Sequence, residues 1–168
     1  LEQQVPVLRG YNWGKNWGSL GYFGELLTAR AILPGVSLVR RATGGGVVDH
    51  RNDFTYTLVI PRQCGIAMVK GRESYRLIHS ALAVSLRKAG HDIELVQADY
   101  DVDSSSCFEK PVAWDLIDRR RQKVAGAGQR RTRKGLLHQG SIMLAEPAGQ
   151  RRILAGLARE LARVVTAV

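Results

Sequence analysis

Four short segments carry residue types that do chemistry. "DSSSC" places Cys107 in a polar loop rather than a core strand. Free cysteines are mostly small buried hydrophobes, so a polar-loop cysteine leans toward a nucleophilic thiol; an inert thiol fits the spacing equally well. Lowering the thiol pKa takes a nearby cation, and Lys123 is the candidate if the intervening strand brings the two together. A lone lysine is more often a solvated surface group. In "RRATGGGVVDH", Arg40 to His50, three successive side chains are missing between an arginine pair and a histidine. Bare backbone N–H groups can hold a phosphate or carboxylate there, and Arg40 and Arg41 add charge suited to bidentate oxygen contacts. A flexible hairpin turn explains Gly44, Gly45 and Gly46 at least as well. Neither a P-loop nor a dinucleotide-binding glycine spacing is present. "KVAGAGQRR" leaves room beside Lys123, at Gly126, Ala127 and Gly128, for a ligand or a second backbone. His138 and Gly140 stand inside the apolar "LLHQGSIML", where a single histidine is more often a hydrogen-bonded core residue than a catalyst. Cys64 has no comparable neighbours.

The elements that must position these residues follow from periodicity. "VPVLRGYNW" (5–13) and "WGSLGYF" (17–23) predict strands joined by a short turn, and "GELLTARAI" (24–32) a helix stopped at Pro34 and Gly35. "VSLVRRA" (36–42) and "FTYTLVIP" (54–61) predict a hairpin whose connection carries the three glycines. Tyr75, Ile78, Leu82 and Leu86 share one face of a helix over 72–89, with Gly90 as its stop. Strands are expected at 92–97, 112–118, 123–128 and 136–145. A closing helix after Pro147 repeats Ile153, Leu154, Leu157, Leu161 and Val164. These strands and three helices make an α+β fold with a mixed, largely antiparallel sheet flanked by helices.

Composition narrows the class. The 168 residues, 45% hydrophobic, suffice for one domain with a real core. No run approaches the roughly 18 apolar residues of a membrane span, and no secretory leader is visible. The chain begins at Leu1, so a natural N-terminal segment is expected to precede it. Two cysteines make no disulfide framework, which favours a reducing cytoplasm. The net charge of +10, with arginines clustered at 118–123 and 129–134, suits an anionic partner. Those clusters lie near turns and lack the interleaved aromatics that stack bases, so an acidic protein suits them better than nucleic acid.

The motifs "LRGYNW", "SLGYF", "RRATGGGVVDH", "FTYTLVIP", "CFEKPVAWDL", "KVAGAGQRR" and "LLHQGSIML" stand in one order. From about Val5 to Leu144 the chain resembles the lipoate–protein ligase and octanoyltransferase family, relatives of biotin–protein ligases. The resemblance implies that family's catalytic domain and an acyltransferase of lipoyl cofactor assembly. Such enzymes attach octanoyl or lipoyl to a lysine of a lipoyl domain or of the glycine cleavage H protein. The donor would be an acyl carrier protein, or free octanoate or lipoate. By resemblance, Arg41 and Gly44, Gly45 and Gly46 close over the head of the acyl ligand, and Lys123 contacts the acyl carbonyl. Tyr22, His50, Gly126, Gln129, His138 and Gly140 line the pocket, and Cys107 forms the thioester. "SLGYF", the threonine of "RRATGGG", "TYT" and the "CF" placement of Cys107 look more like the transferases, which need no cofactor. The ligases of the family use ATP and Mg²⁺ instead, and a member without catalysis remains an alternative. The chain has "GAG" where "GSA" is usual, "HQG" where transferases often have "QHG", and Asp49 at a usually apolar position.

Overall fold

The computed structural model describes residues 5–97, 111–143 and 149–166. Its main sheet has six strands, antiparallel throughout, in the order β1 (Val7–Tyr11), β5 (Phe54–Pro61), β9 (Gly135–Ile142), β8 (Lys123–Thr132), β7 (Leu116–Ile117) and β6 (Glu94–Leu95). A second sheet centres on β2 (Trp17–Leu20), with β3 (Ser37–Arg40) parallel on one side and β4 (Val47–Asp49) antiparallel on the other. Parallel neighbours need a crossover, and α1 (Leu26–Ile32) supplies it between β2 and β3.

Phe54, Tyr56, Leu58 and Ile60 alternate along β5 and, with Leu136 and Ile142 of β9, cover one face of the main sheet. Against that face pack Ile78, Leu82 and Leu86 of α3 (Gly71–Lys88) and Ile153, Leu157 and Leu161 of α4 (Gln150–Thr166). A one-turn helix, α2 (Gly65–Met68), adds Ile66. The α3 stop is a Schellman turn: Gly90 has φ +97°, its N–H donates to Arg87 O (2.9 Å), and His91 N–H donates to Leu86 O (3.1 Å). The other face of the sheet carries Thr55, Gly126 and Ser141, and lies toward the smaller sheet.

The expected α+β class, with a large antiparallel sheet flanked by helices, holds. One local expectation fails. The segments at 36–42 and 54–61 are not a hairpin: β3 joins β2 in the small sheet, whereas β5 lies between β1 and β9. The glycines instead lead into β4, which turns back onto β2. Likewise β1 and β2, adjacent in sequence, lie in different sheets. Short apolar runs fix the existence of strands but not their partners. Among the described residues no helix is long and apolar enough to cross a membrane.

Candidate active site

Between the two sheets lies a cavity of about 530 Å³, within the range of small-ligand sites. Trp13, Val39, Ala42 and Val48 give it apolar walls. Two polar clusters interrupt them.

The first is built on β8 and the turn before β7. Lys123 Nζ lies 2.8 Å from Asp115 Oδ2, with side chains 9% and 0% exposed. Asp115 Oδ2 also accepts the Val112 N–H (2.9 Å), and Oδ1 accepts the Tyr75 hydroxyl of α3 (2.5 Å). The same hydroxyl accepts the Ala127 N–H (2.9 Å), capping β8 beyond the end of β7. Burial first, then the Asp115 charge, raises the Tyr75 pKa well above the usual phenol value, so this group stays a neutral donor. Trp114 is held at φ +74°, a region that bulky residues rarely enter. Its N–H donates to Val96 O (2.8 Å) and its carbonyl accepts His79 Nδ1 (2.7 Å). These contacts aim Asp115 at the lysine. Gly126 makes room for it: a Cβ there would lie 2.4 Å from Lys123 Cε.

The second cluster joins the small sheet to the large one. His50, just after β4, presents Nε2 to Ser19 Oγ of β2 (2.7 Å) and Nδ1 to Asp53 Oδ2 (2.7 Å). Asp53 Oδ2 also accepts the Thr55 hydroxyl (3.2 Å) and the Ser141 hydroxyl. Trp13 stacks on the imidazole at 4.2 Å between centroids and 11° between planes. Arg41 folds into its own turn, donating to Gly44 O (2.9 Å), Gly46 O (2.9 Å) and Ser19 Oγ (3.1 Å). Arg40 is likewise spent on the chain, its Nη1 donating to the carbonyls of Gly21, Tyr22 and Gly24.

The backbone of the turn is approached closely by two glycines outside it, Gly21 and Gly128, and itself enters the left-handed region at Gly45. Gly45 has φ +97°, and a Cβ on Gly21 would come within 1.9 Å of Gly45 O. A Cβ on Gly128 would lie 2.6 Å from Gly44 O. Gly44 itself has open space where its side chain would be.

Of the residues selected from sequence, Arg41, Gly45, Gly46, His50, Lys123, Gly126 and Gly140 line the cavity. Gly44 supplies a carbonyl to Arg41 but is not on the wall. Three others are placed elsewhere. Tyr22 is 46% exposed, with Arg130 over its ring, 4.9 Å from the centroid. His138 faces the helices, fully buried, bonded to Tyr56 OH (3.0 Å) and Gln129 (3.0 Å). Gln129 ties that histidine to Ser74 of α3 (3.1 Å). Strand alternation explains this: Gln139 and Ser141 point into the cavity, so His138 points away. Asp49 is held by Arg51 (2.5 Å) and is not on the cavity wall. Cys107 lies outside the described residues. Sequence reasoning did not single out Ser19, Asp53, Tyr75 or Asp115; an acid inside "AWDLI" was the visible signal for the last.

Comparison with known proteins places this geometry in context. The family description "Lipoyl protein ligase A/B catalytic domain" matches residues 3–155. The chain is 34% identical over 154 residues to octanoyltransferase LipM of Kyrpidia tusciae, and 37% identical over 150 residues to that of Moorella thermoacetica. Each match covers 83% of this chain and 54% of the relative, so the chain spans about half the length of these proteins. The fold is shared with protein Ta0514 of T. acidophilum with bound lipoic acid, at TM-score 0.70 and 19% identity over 96% of this chain and 73% of that one. It is also shared with a bi-partite lipoate protein ligase of Thermoplasma acidophilum, at TM-score 0.66 and 17% identity over 96% and 71%.

Proposed function

The chain belongs to the family of lipoyl protein ligase A/B catalytic domains, and we propose that it moves an octanoyl group from a carrier thioester to a lysine of a lipoyl domain. The observation that carries this reading is the Lys123–Asp115 pair set into a slot with apolar walls at Trp13, Val39, Ala42 and Val48. A fatty-acyl chain needs such walls, and its carbonyl needs one cation at a fixed place. The names of the relatives of Kyrpidia tusciae and Moorella thermoacetica agree with it.

In this reading Cys107 attacks the donor carbonyl, and the carrier thiol leaves with the cysteine proton. The target lysine amine then attacks the Cys107 thioester; the C–S bond breaks, an amide forms, and the thiol is restored. Lys123 stabilises the thiolate and the tetrahedral oxyanion. Losing one such donor costs about 2–4 kcal/mol in the barrier. Asp115 and Tyr75 position that ammonium without touching substrate. The donor thioester is already activated, so the reaction uses no ATP or metal. The donor is an acyl carrier protein, and the acceptor a lipoyl domain or the glycine cleavage H protein. The reaction belongs in the cytoplasm, where a nucleophilic cysteine stays reduced.

The test is incubation with octanoyl carrier protein followed by intact mass measurement. An octanoyl adduct is expected on Cys107, transferable to an added lipoyl domain and lost in Cys107→Ser. If Cys107→Ser still modifies the lipoyl domain with ATP, Mg²⁺ and lipoate, the ligase reading replaces this one.

A further inference from the structure

The second polar cluster has a use that acyl transfer through Cys107 does not need. We propose that Ser19, His50 and Asp53 form a separate nucleophilic centre, which takes an activated medium-chain acyl group onto Ser19 Oγ and releases it to water. The choice of a medium-chain acyl thioester as substrate rests on the function proposed above; the nucleophile rests on geometry alone.

With a neutral imidazole the partners set the hydrogen-bond directions. The Asp53 carboxylate is an acceptor, so the proton between them sits on His50 Nδ1. In the neutral imidazole Nε2 is then an acceptor, and the Ser19 hydroxyl donates to it across 2.7 Å. The lone pairs of Ser19 Oγ remain, and Arg41 Nη1 donates to one of them at 3.1 Å. A hydroxyl that gives its proton to a carboxylate-oriented histidine, while a guanidinium faces its oxygen, is an activated nucleophile. Both Ser19 and His50 line the cavity, 1% and 5% exposed. The Trp13 ring stacked on the imidazole keeps its plane fixed. A histidine serving only to join the two sheets would need neither the cavity nor the arginine.

The chemistry balances with water as the one co-reactant. Ser19 Oγ attacks the thioester carbonyl carbon, and its proton passes to His50 Nε2. The C–S bond breaks, and the leaving thiolate takes that proton. Water then attacks the Ser19 ester, giving a proton to His50. The C–O bond breaks and Ser19 Oγ is reprotonated. One thioester and one water become one carboxylic acid and one thiol. Asp53 stabilises the imidazolium formed in each half.

The test uses the octanoyl thioester of N-acetylcysteamine, following thiol release and mapping the acylated peptide by mass. The expected adduct lies on the peptide containing Ser19 and survives neutral hydroxylamine, which cleaves the thioester of Cys107 but not an oxyester. Ser19→Ala should abolish this adduct. Asp53→Asn, with unchanged circular dichroism, should slow its formation by about 10²–10⁴-fold. Ser19→Cys keeps the shape of the site should Ser19→Ala not fold, and its adduct on that peptide should become hydroxylamine-labile. A map showing acyl on Cys107 alone, or a hydroxylamine-resistant adduct persisting in Ser19→Cys, overturns the assignment. Failure of carrier-to-lipoyl-domain transfer with the Ser19 adduct intact would refute the transferase reading and leave this one standing.

Discussion

Lys123 and Asp115 show how little of a charged pair is a matter of charge alone. Removing both from water costs several kcal/mol per ion, and their attraction offsets this only because Tyr75 and the Val112 N–H complete the carboxylate shell. Deleting either partner should therefore cost more than deleting both. Asp115→Asn is expected to lower unfolding free energy by about 3–5 kcal/mol. The double variant Asp115→Asn with Lys123→Met should lose less than the sum of the single losses, as measured by urea denaturation. Additive losses would show that the two do not stabilise one another. The lysine was legible in the sequence because small residues follow it at the start of a strand. Its partner was not, because "AWDLI" reads as an apolar strand with one acid, and its orientation depends on Tyr75, distant in the chain. Tyr75 matches the apolar face of α3, and periodicity says nothing of a hydroxyl reaching past that face to a sheet edge.

Elements decide where the glycine turn sits. A run of three glycines reads as a flexible loop, but here it is a contact surface, Gly45 against Gly21 and Gly44 against Gly128. Gly21→Ala should destabilise by about 1–3 kcal/mol, as overpacking does, and weaken octanoate binding by calorimetry; an unchanged unfolding curve would refute the contact. Alternation along β9 was visible, yet which face meets the helices was not. The resemblance implies a pocket role for His138, whereas the structure buries it in the core, as an isolated histidine in an apolar strand suggests. Burial makes the histidines between α3 and the sheet acid-sensitive. It pushes His79 down from 6.5 to about 4, against the opposing pull of Asp115 and the Trp114 carbonyl, and lowers His138 well below its usual value. Between those limits the unfolded chain binds the proton that folded His79 refuses, so stability falls as pH drops from 6.5 toward 4. His79 alone accounts for about 3 kcal/mol of that loss. Denaturant midpoints at pH 7 and pH 4.5 should differ accordingly, and equal midpoints would contradict a buried neutral ring.

At the scale of the molecule, the charge of +10 includes Arg119, Arg120 and Arg121, exposed in one turn, and Arg130, Arg131 and Arg133, exposed along the end of β8 and the turn after it. If the acceptor is an acidic lipoyl domain, raising salt from about 0.05 M to about 0.5 M should reduce kcat/KM roughly tenfold or more through encounter, leaving kcat unchanged. A flat salt profile would place recognition in shape instead. Composition points to an anionic partner but says nothing of the two-sheet slot, because strand pairing over long sequence separations leaves no local mark. The stacking of Trp13 on His50, on the cavity wall, gives the protein an optical reporter of its own. The emission of an indole depends on the polarity of what surrounds it. Loading the slot with octanoate should therefore change intrinsic emission in proportion to occupancy, an unlabelled signal that Trp13→Phe would remove.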